Sequence, residues 1–145
     1  MTQPDQPGLR LRLAHEARRI ASQHTYLDAL EATVLRAFER GDPGEMQQLL
    51  HGFHASLDAH FALEEQVHFP ALRGLRPDFQ SELDELIREH VRFREELDRI
   101  VASLRAIDAN GPAAEILASF RDMAASLRRH EEREERLLSR AAEVR

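Results

Sequence analysis

Each of the four long apolar stripes in this 145-residue chain is interrupted by ionisable side chains where the helical repeat requires apolar ones. His24 lies between Ile20 and Leu27, His60 and Glu64 between Leu57 and Val67, His90 between Ile87 and Leu97, and His130 and Glu134 between Leu127 and Leu137. The spacing points all six inward. A fold that buries these stripes must also accommodate two carboxylates and four imidazoles, and a buried, unpaired carboxylate costs several kcal/mol (about 2 or more). The chain is therefore held to architectures that bring the six groups together.

The stripes fix the elements. The first carries Leu13, Ala17, Ile20, Leu27, Val34, Leu35 and Phe38; the second Met46, Leu49, Leu50, Phe53, Leu57, Val67 and Ala71. The third carries Phe79, Leu83, Leu86, Ile87, Leu97, Val101 and Leu104; the fourth Ile116, Phe120, Met123, Leu127, Leu137, Leu138 and Ala141. No period-two run competes with them. Turn residues cluster at Gly41-Asp42-Pro43-Gly44, Arg73-Gly74-Leu75-Arg76-Pro77 and Asn110-Gly111-Pro112, which predicts helices over 9–40, 43–72, 78–108 and 112–143. Asp42 is the expected N-cap of the second helix, with Pro43 at its first position and Glu45 as capping-box partner. Short connections make successive helices antiparallel, so the predicted fold is all-α, an up-down-up-down four-helix bundle over 9–145 behind a disordered tail, 1–8.

Composition narrows the function classes. The chain has no Cys, which excludes disulfides and thiolate chemistry and argues against an iron–sulfur cluster. Its 20 basic residues are all Arg, scattered among 26 acidic ones for a net charge of −6, which argues against a nucleic-acid surface. No stretch approaches the roughly 20 apolar residues of a membrane span. A soluble, cytoplasmic protein without nucleic-acid or membrane partners is expected.

The interruptions have a pattern. His60-x-x-x-Glu64-Glu65 and His130-x-x-x-Glu134-Glu135 repeat one motif on helices two and four, with each His and first Glu one turn apart on the same face. Helices one and three each add one inward His. A helical hairpin used twice would set all six groups around a pseudo-twofold axis, as a dinuclear metal site requires. Nitrogen and oxygen donors suit iron, manganese or zinc. The competing arrangement is a set of Glu–His and Glu–Arg ion pairs in a partly wet core.

The stretch from His24 to Leu72, including Gly41-Asp42 and His60-Phe-Ala-Leu-Glu-Glu-Gln-Val-His-Phe-Pro-Ala-Leu72, resembles a hemerythrin-like domain of the HHE cation-binding family, as do Glu89-His90, His130 and Glu134-Glu135. The resemblance covers nearly all of the chain after about residue 13. It implies a non-haem centre of two iron ions, oxo- or hydroxo-bridged, with manganese or zinc as alternatives. His24, His60, His90 and His130 match the terminal ligands, and Glu64 and Glu134 the bridging carboxylates. The oxygen carriers of the family have a fifth His four residues after the one on helix three and read H-x-x-x-x-D on helix four. Here those features are replaced by Arg94 and by His130-x-x-x-Glu134. The departure implies a more open site, suited to reaction with O2, nitric oxide or peroxide in redox or iron stress, and a reduced form that air oxidises irreversibly. A non-enzymatic iron or oxygen sensor, or a reversible O2 binder, is the second reading, and a metal-free interaction bundle the third.

Three further polar residues fall near the stripes. Glu31 and Arg94 are expected either to pair beside the metals or to extend separately to solvent. His68 is expected to cap the helix end before Pro70 or face water, with a spare ligand or proton donor as the alternative. His15, His51, His54 and Tyr26 fall off the inward face, and Arg128-Arg129 with Glu131-Glu132 reads as a solvated face.

Overall fold

The computed structural model describes residues 7–107 and 113–141. Four long helical rods form the bundle: α1 (Pro7–Arg40), a composite rod of α2 (Pro43–Leu63), a π-helical segment (Glu64–His68) and α3 (Phe69–Leu75), then α4 (Gln80–Arg105) and α5 (Ala113–Ala141). A 3-10 turn, Pro77–Phe79, leads into α4. The α1 rod packs against α2 and α5, and α4 packs against the same two. Among the described residues there is no strand, and no helix is long and apolar enough to cross a membrane. The expected first helix starts two residues earlier, at Pro7; the rest of the predicted tail and the Asn110-Gly111-Pro112 turn lie outside the described residues.

The first connection shows how local sequence sets the hairpin. Gly41, with φ 72°, closes α1 through bonds from its N–H to Ala37 and Phe38. The Asp42 carboxylate accepts from the Gly44 and Glu45 N–H groups at 3.0 and 3.2 Å, with Pro43 next in line. Glu45 does not complete a capping box, because Arg40 binds its carboxylate instead.

The second rod departs from the predicted register. Phe69 N–H bonds to Glu64 O, an i to i+5 turn, immediately before Pro70, whose ring would otherwise crowd the preceding turn. The extra residue rotates everything beyond it by about 100°. Val67, expected inward, is 42% exposed, while His68 is 3% exposed and Leu72 is fully buried. Val67 and Ala71 thus yield the inward face to His68, Phe69 and Leu72.

Elsewhere the stripes form the core in two parts. One apolar cluster runs from Leu27 and Val34 through Phe53, Leu97 and Phe120, and the other joins Leu13, Ile20, Phe69, Leu83, Leu86 and Leu138. Between them lies the polar layer.

Candidate metal centre

The six inward residues of the sequence converge in that layer. His24, His60, Glu64 and Glu134 form one group and Glu64, His90, His130 and Glu134 another, each offering donor atoms within 4.8 Å of one another. Both carboxylates belong to both groups. Glu64 Oε1 lies 3.4 Å from His60 Nε2 and 3.2 Å from His90 Nε2. Glu134 Oε1 lies 3.4 Å from His24 Nε2, and its Oε2 lies 3.6 Å from His130 Nε2. Each carboxylate therefore stands between one His of the α1–α2 half and one of the α4–α5 half.

The rings are aimed by a second set of contacts. His90 Nδ1 donates to Glu65 Oε2 and His130 Nδ1 to Glu89 Oε1, both at 2.7 Å, while His60 Nδ1 bonds to Gln23 Oε1. Glu135 Oε1 stands 3.6 Å from His24 Nδ1. Every outer partner comes from a neighbouring rod and sits one position from a residue of the inner layer. Arg94 bonds both Glu65 (3.0 Å) and Asp58 (2.7 Å), and Arg133 bonds Glu89 (2.7 Å), so two of the outer carboxylates are themselves held. These contacts leave Nε2 free to face the centre, the arrangement of oriented metal-binding imidazoles.

The electrostatics call for cations. Carboxylates only accept, so the two rings bonded by Glu65 and Glu89 carry lone pairs at Nε2, yet those atoms face each other at 3.2 Å. Glu64 and Glu134 are 0% and 1% exposed, and none of their four carboxylate oxygens has a hydrogen-bond donor. In the metal-free chain, burial and the Glu134 charge push Glu64 well above the ordinary carboxylate range. Burial lowers His60 to about 4 and His90 to about 2, and it lowers His130 too. At His24 burial also acts downward, but Glu134, Glu131 and Glu135 outweigh it and raise the pKa. His60, His90 and His130 are thus held neutral, as metal ligands must be, while Glu64 and His24 hold protons that a bound divalent ion would displace.

A model of the hemerythrin HHE cation-binding domain matches residues 15–142. The chain belongs to the hemerythrin HHE family. No curated protein and no solved structure matches it. The HHE family binds cations, and the buried His and Glu groups of this member fit such a site.

The outlying residues fall differently from expectation. Glu31 and Arg94 do not pair: Glu31, 3% exposed, accepts from Arg128 at 3.1 Å, and Arg94 serves Glu65 and Asp58. They sit on rods that do not adjoin, α1 and α4, and each has a nearer partner. Arg128 reaches across to α1 while staying on the solvated face, its side chain 59% exposed. His68 does not face water. The π-helical turn buries it with Glu16, whose Oε2 lies 3.7 Å from His68 Nδ1, and burial lowers its pKa despite that neighbour. Tyr26 points outward at 59% exposure, and His15 is exposed.

Sequence reasoning missed Glu16, Gln23, Glu65, Glu89, Glu131 and Glu135. For Glu65 and Glu135 the signal was in hand, since both copies of His-x-x-x-Glu-Glu carry a second Glu. Glu131, at 5% exposure, is buried although the sequence pattern groups it with its neighbour Glu132 on a solvated face.

Proposed function

We propose that this HHE protein is a non-haem di-iron protein in which His24 and His60 hold one ion, His90 and His130 the other, and Glu64 and Glu134 bridge them. The observation that carries this reading is the set of four donorless carboxylate oxygens between four imidazole Nε2 atoms. A metal-free interaction bundle would leave these buried acceptors unsatisfied. Manganese or zinc would satisfy the same donors.

Bound iron would supply electrons and Lewis acidity to a small molecule such as O2, nitric oxide or peroxide. The chain's own contribution is positional. Glu65, Glu89 and Gln23 hold three imidazoles with Nε2 inward, and Glu64 and Glu134 tie the two halves together. Phe61 and Phe93 wall the His90 and His130 rings with apolar surface, which limits water at the centre. Arg94, whose position carries a fifth His in the oxygen carriers, is engaged with Glu65 and Asp58. No imidazole takes its place, and the more open site favours reaction over reversible carriage. We place the activity in cytoplasmic redox or iron stress response.

The test is exposure of the anaerobically reduced, iron-loaded protein to each small molecule in turn. Irreversible oxidation by air, with peroxide or nitric oxide consumed over many turnovers and consumption lost in Glu64→Ala, supports the reactive reading. A coloured adduct that releases O2 under vacuum contradicts it. One observation favours a sensor as the second reading: the buried carboxylates make the metal-free state electrostatically strained, so metal occupancy would be read as a change in stability. Stoichiometric reaction without turnover would decide for it.

A further inference from the structure

The two halves of the bundle are not equivalent, and the difference lies at the position after each motif His. In the second rod, Phe61 follows His60 and is fully buried, its ring stacked on His90 with centroids 3.9 Å apart and planes at 12°. In α5, Glu131 follows His130 and is 5% exposed. Its Oε2 lies 3.9 Å from His24 Nε2 and has no hydrogen-bond partner. The repeated hairpin thus sets an aromatic ring against the His of one half and a carboxylate against the His of the other.

Among the described residues, Glu131 Oε2 has no hydrogen-bond donor to hold it in its buried place. Asp28, Glu134 and Glu135 surround it with like charge, and His24 is the basic group facing it. Arg128, one turn earlier, is bonded to Glu31. An acidic side chain kept from water among other acids, with an oxygen beside the inward nitrogen of His24, is placed as a metal donor is placed.

We propose that Glu131 is a third carboxylate ligand, specific to the metal held by His24 and His60, and that the two metal positions are therefore unequal. This inference rests on the two-metal reading above. At the His24 and His60 position two His and the shared Glu64 and Glu134 already bring donor atoms within 4.8 Å of one another, and Glu131, beside His24 at the edge of that group, would join them as a fifth donor. The His90 and His130 position has four, and Phe61 fills the space equivalent to that of Glu131. The fuller donor set makes the first position the tighter one. The second keeps more of its coordination sphere for a small molecule, which would bind there against an apolar wall.

The experiment is anaerobic calorimetric titration of wild type, Glu131→Gln and Glu131→Met with ferrous iron, with Mössbauer spectra of the loaded proteins and thermal melts of the metal-free ones. Wild type should take up two irons, one at least about tenfold more tightly, and show two distinct signals. Both variants should weaken the tight step by about tenfold or more and bring the signals together, while metal-free melting stays level or rises. Unchanged binding steps and two unchanged signals in the variants would overturn the assignment of Glu131 and leave the two-metal reading standing. Metal-free melting that falls in both variants in parallel with iron uptake would also overturn it, marking Glu131 as structural. A wild-type protein that binds no iron would overturn both readings.

Discussion

Glu65 accepts the Nδ1 proton of His90 at 2.7 Å from one residue beyond the buried Glu64, so the second Glu of the motif orients a ring on the opposite half of the bundle. Glu89 does the same for His130. Removing such an outer carboxylate typically costs 10- to 100-fold (roughly) in metal affinity. Glu65→Gln and Glu89→Gln are each expected to weaken metal binding by about tenfold or more, measured by competition with a chromophoric chelator, while Gln23→Glu should leave binding equal or tighter. Unchanged affinity in both losses would show that the rings are aimed by packing alone.

Arg94→Leu is expected to act through Glu65. The ring of His90 would keep its carboxylate, but that carboxylate would lose the guanidinium contact at 3.0 Å and regain freedom. Metal stoichiometry should hold, with affinity reduced less than in Glu65→Gln. Disrupting Glu31 through Arg128→Leu should change neither, because that pair lies apart from the centre. Equal losses from Arg94→Leu and Arg128→Leu would contradict this division.

Glu64 and Glu134 should oppose function to stability. Replacing buried charges by apolar side chains often stabilises a protein by about 1–4 kcal/mol. Glu64→Leu is expected to abolish metal uptake and to raise the urea midpoint of the metal-free protein. A lower midpoint together with retained metal would contradict the role given to Glu64.

Metal-free stability should fall as pH rises from 7 to 8. Burial pushes Glu131 up to about 8 and, with Glu134, raises Glu64, so the folded chain holds protons that the unfolded chain has released. His24, raised by its acidic neighbours despite burial, acts in the same direction. The slope is about 1.4 kcal/mol per pH unit for each proton held. Toward pH 5 the sign reverses: His60, His68, His90 and His130, lowered by burial, stay neutral while the unfolded chain protonates, and together they outweigh the protons still held by Glu131 and Glu64, so stability falls as pH falls. Urea midpoints across pH 5 to 8 check both limbs. The metal-loaded protein should instead gain stability between 7 and 8, since metal displaces these protons.

His68→Leu should leave metal content unchanged and metal-free stability equal or higher. Its two ring nitrogens and Glu16 Oε2 are buried without hydrogen-bond partners, and an apolar side chain there removes a desolvated imidazole. Loss of one metal in this variant would make His68 a ligand.

Periodicity carried the bundle and the six inner residues because each helical repeat marks its inward face, and His24, His60 and His90 occupy places where an apolar residue would otherwise stand. It failed at His68 because a π-helical turn changes the repeat within one rod, and the sequence sign of that turn, Pro70 inside a continuing helix, was read as a helix end. It failed at Glu131 for a different reason. That residue lies beside charged neighbours and off the stripe, and only the approach of α1 makes its surroundings dry. The Glu31–Arg94 pairing failed because matching levels on two helices say nothing about whether the rods adjoin.

If two metal ions share Glu64 and Glu134, neither ion survives the loss of one of those carboxylates. The most direct test of that sharing is metal quantification on protein expressed with added iron, comparing wild type with Glu64→Ala and Glu134→Ala. Wild type should carry close to two irons per chain, absorbing in the near ultraviolet after oxidation, and lose both irons when either carboxylate is removed. A wild-type chain that purifies colourless and metal-free, and melts at the same temperature with and without iron, would contradict it.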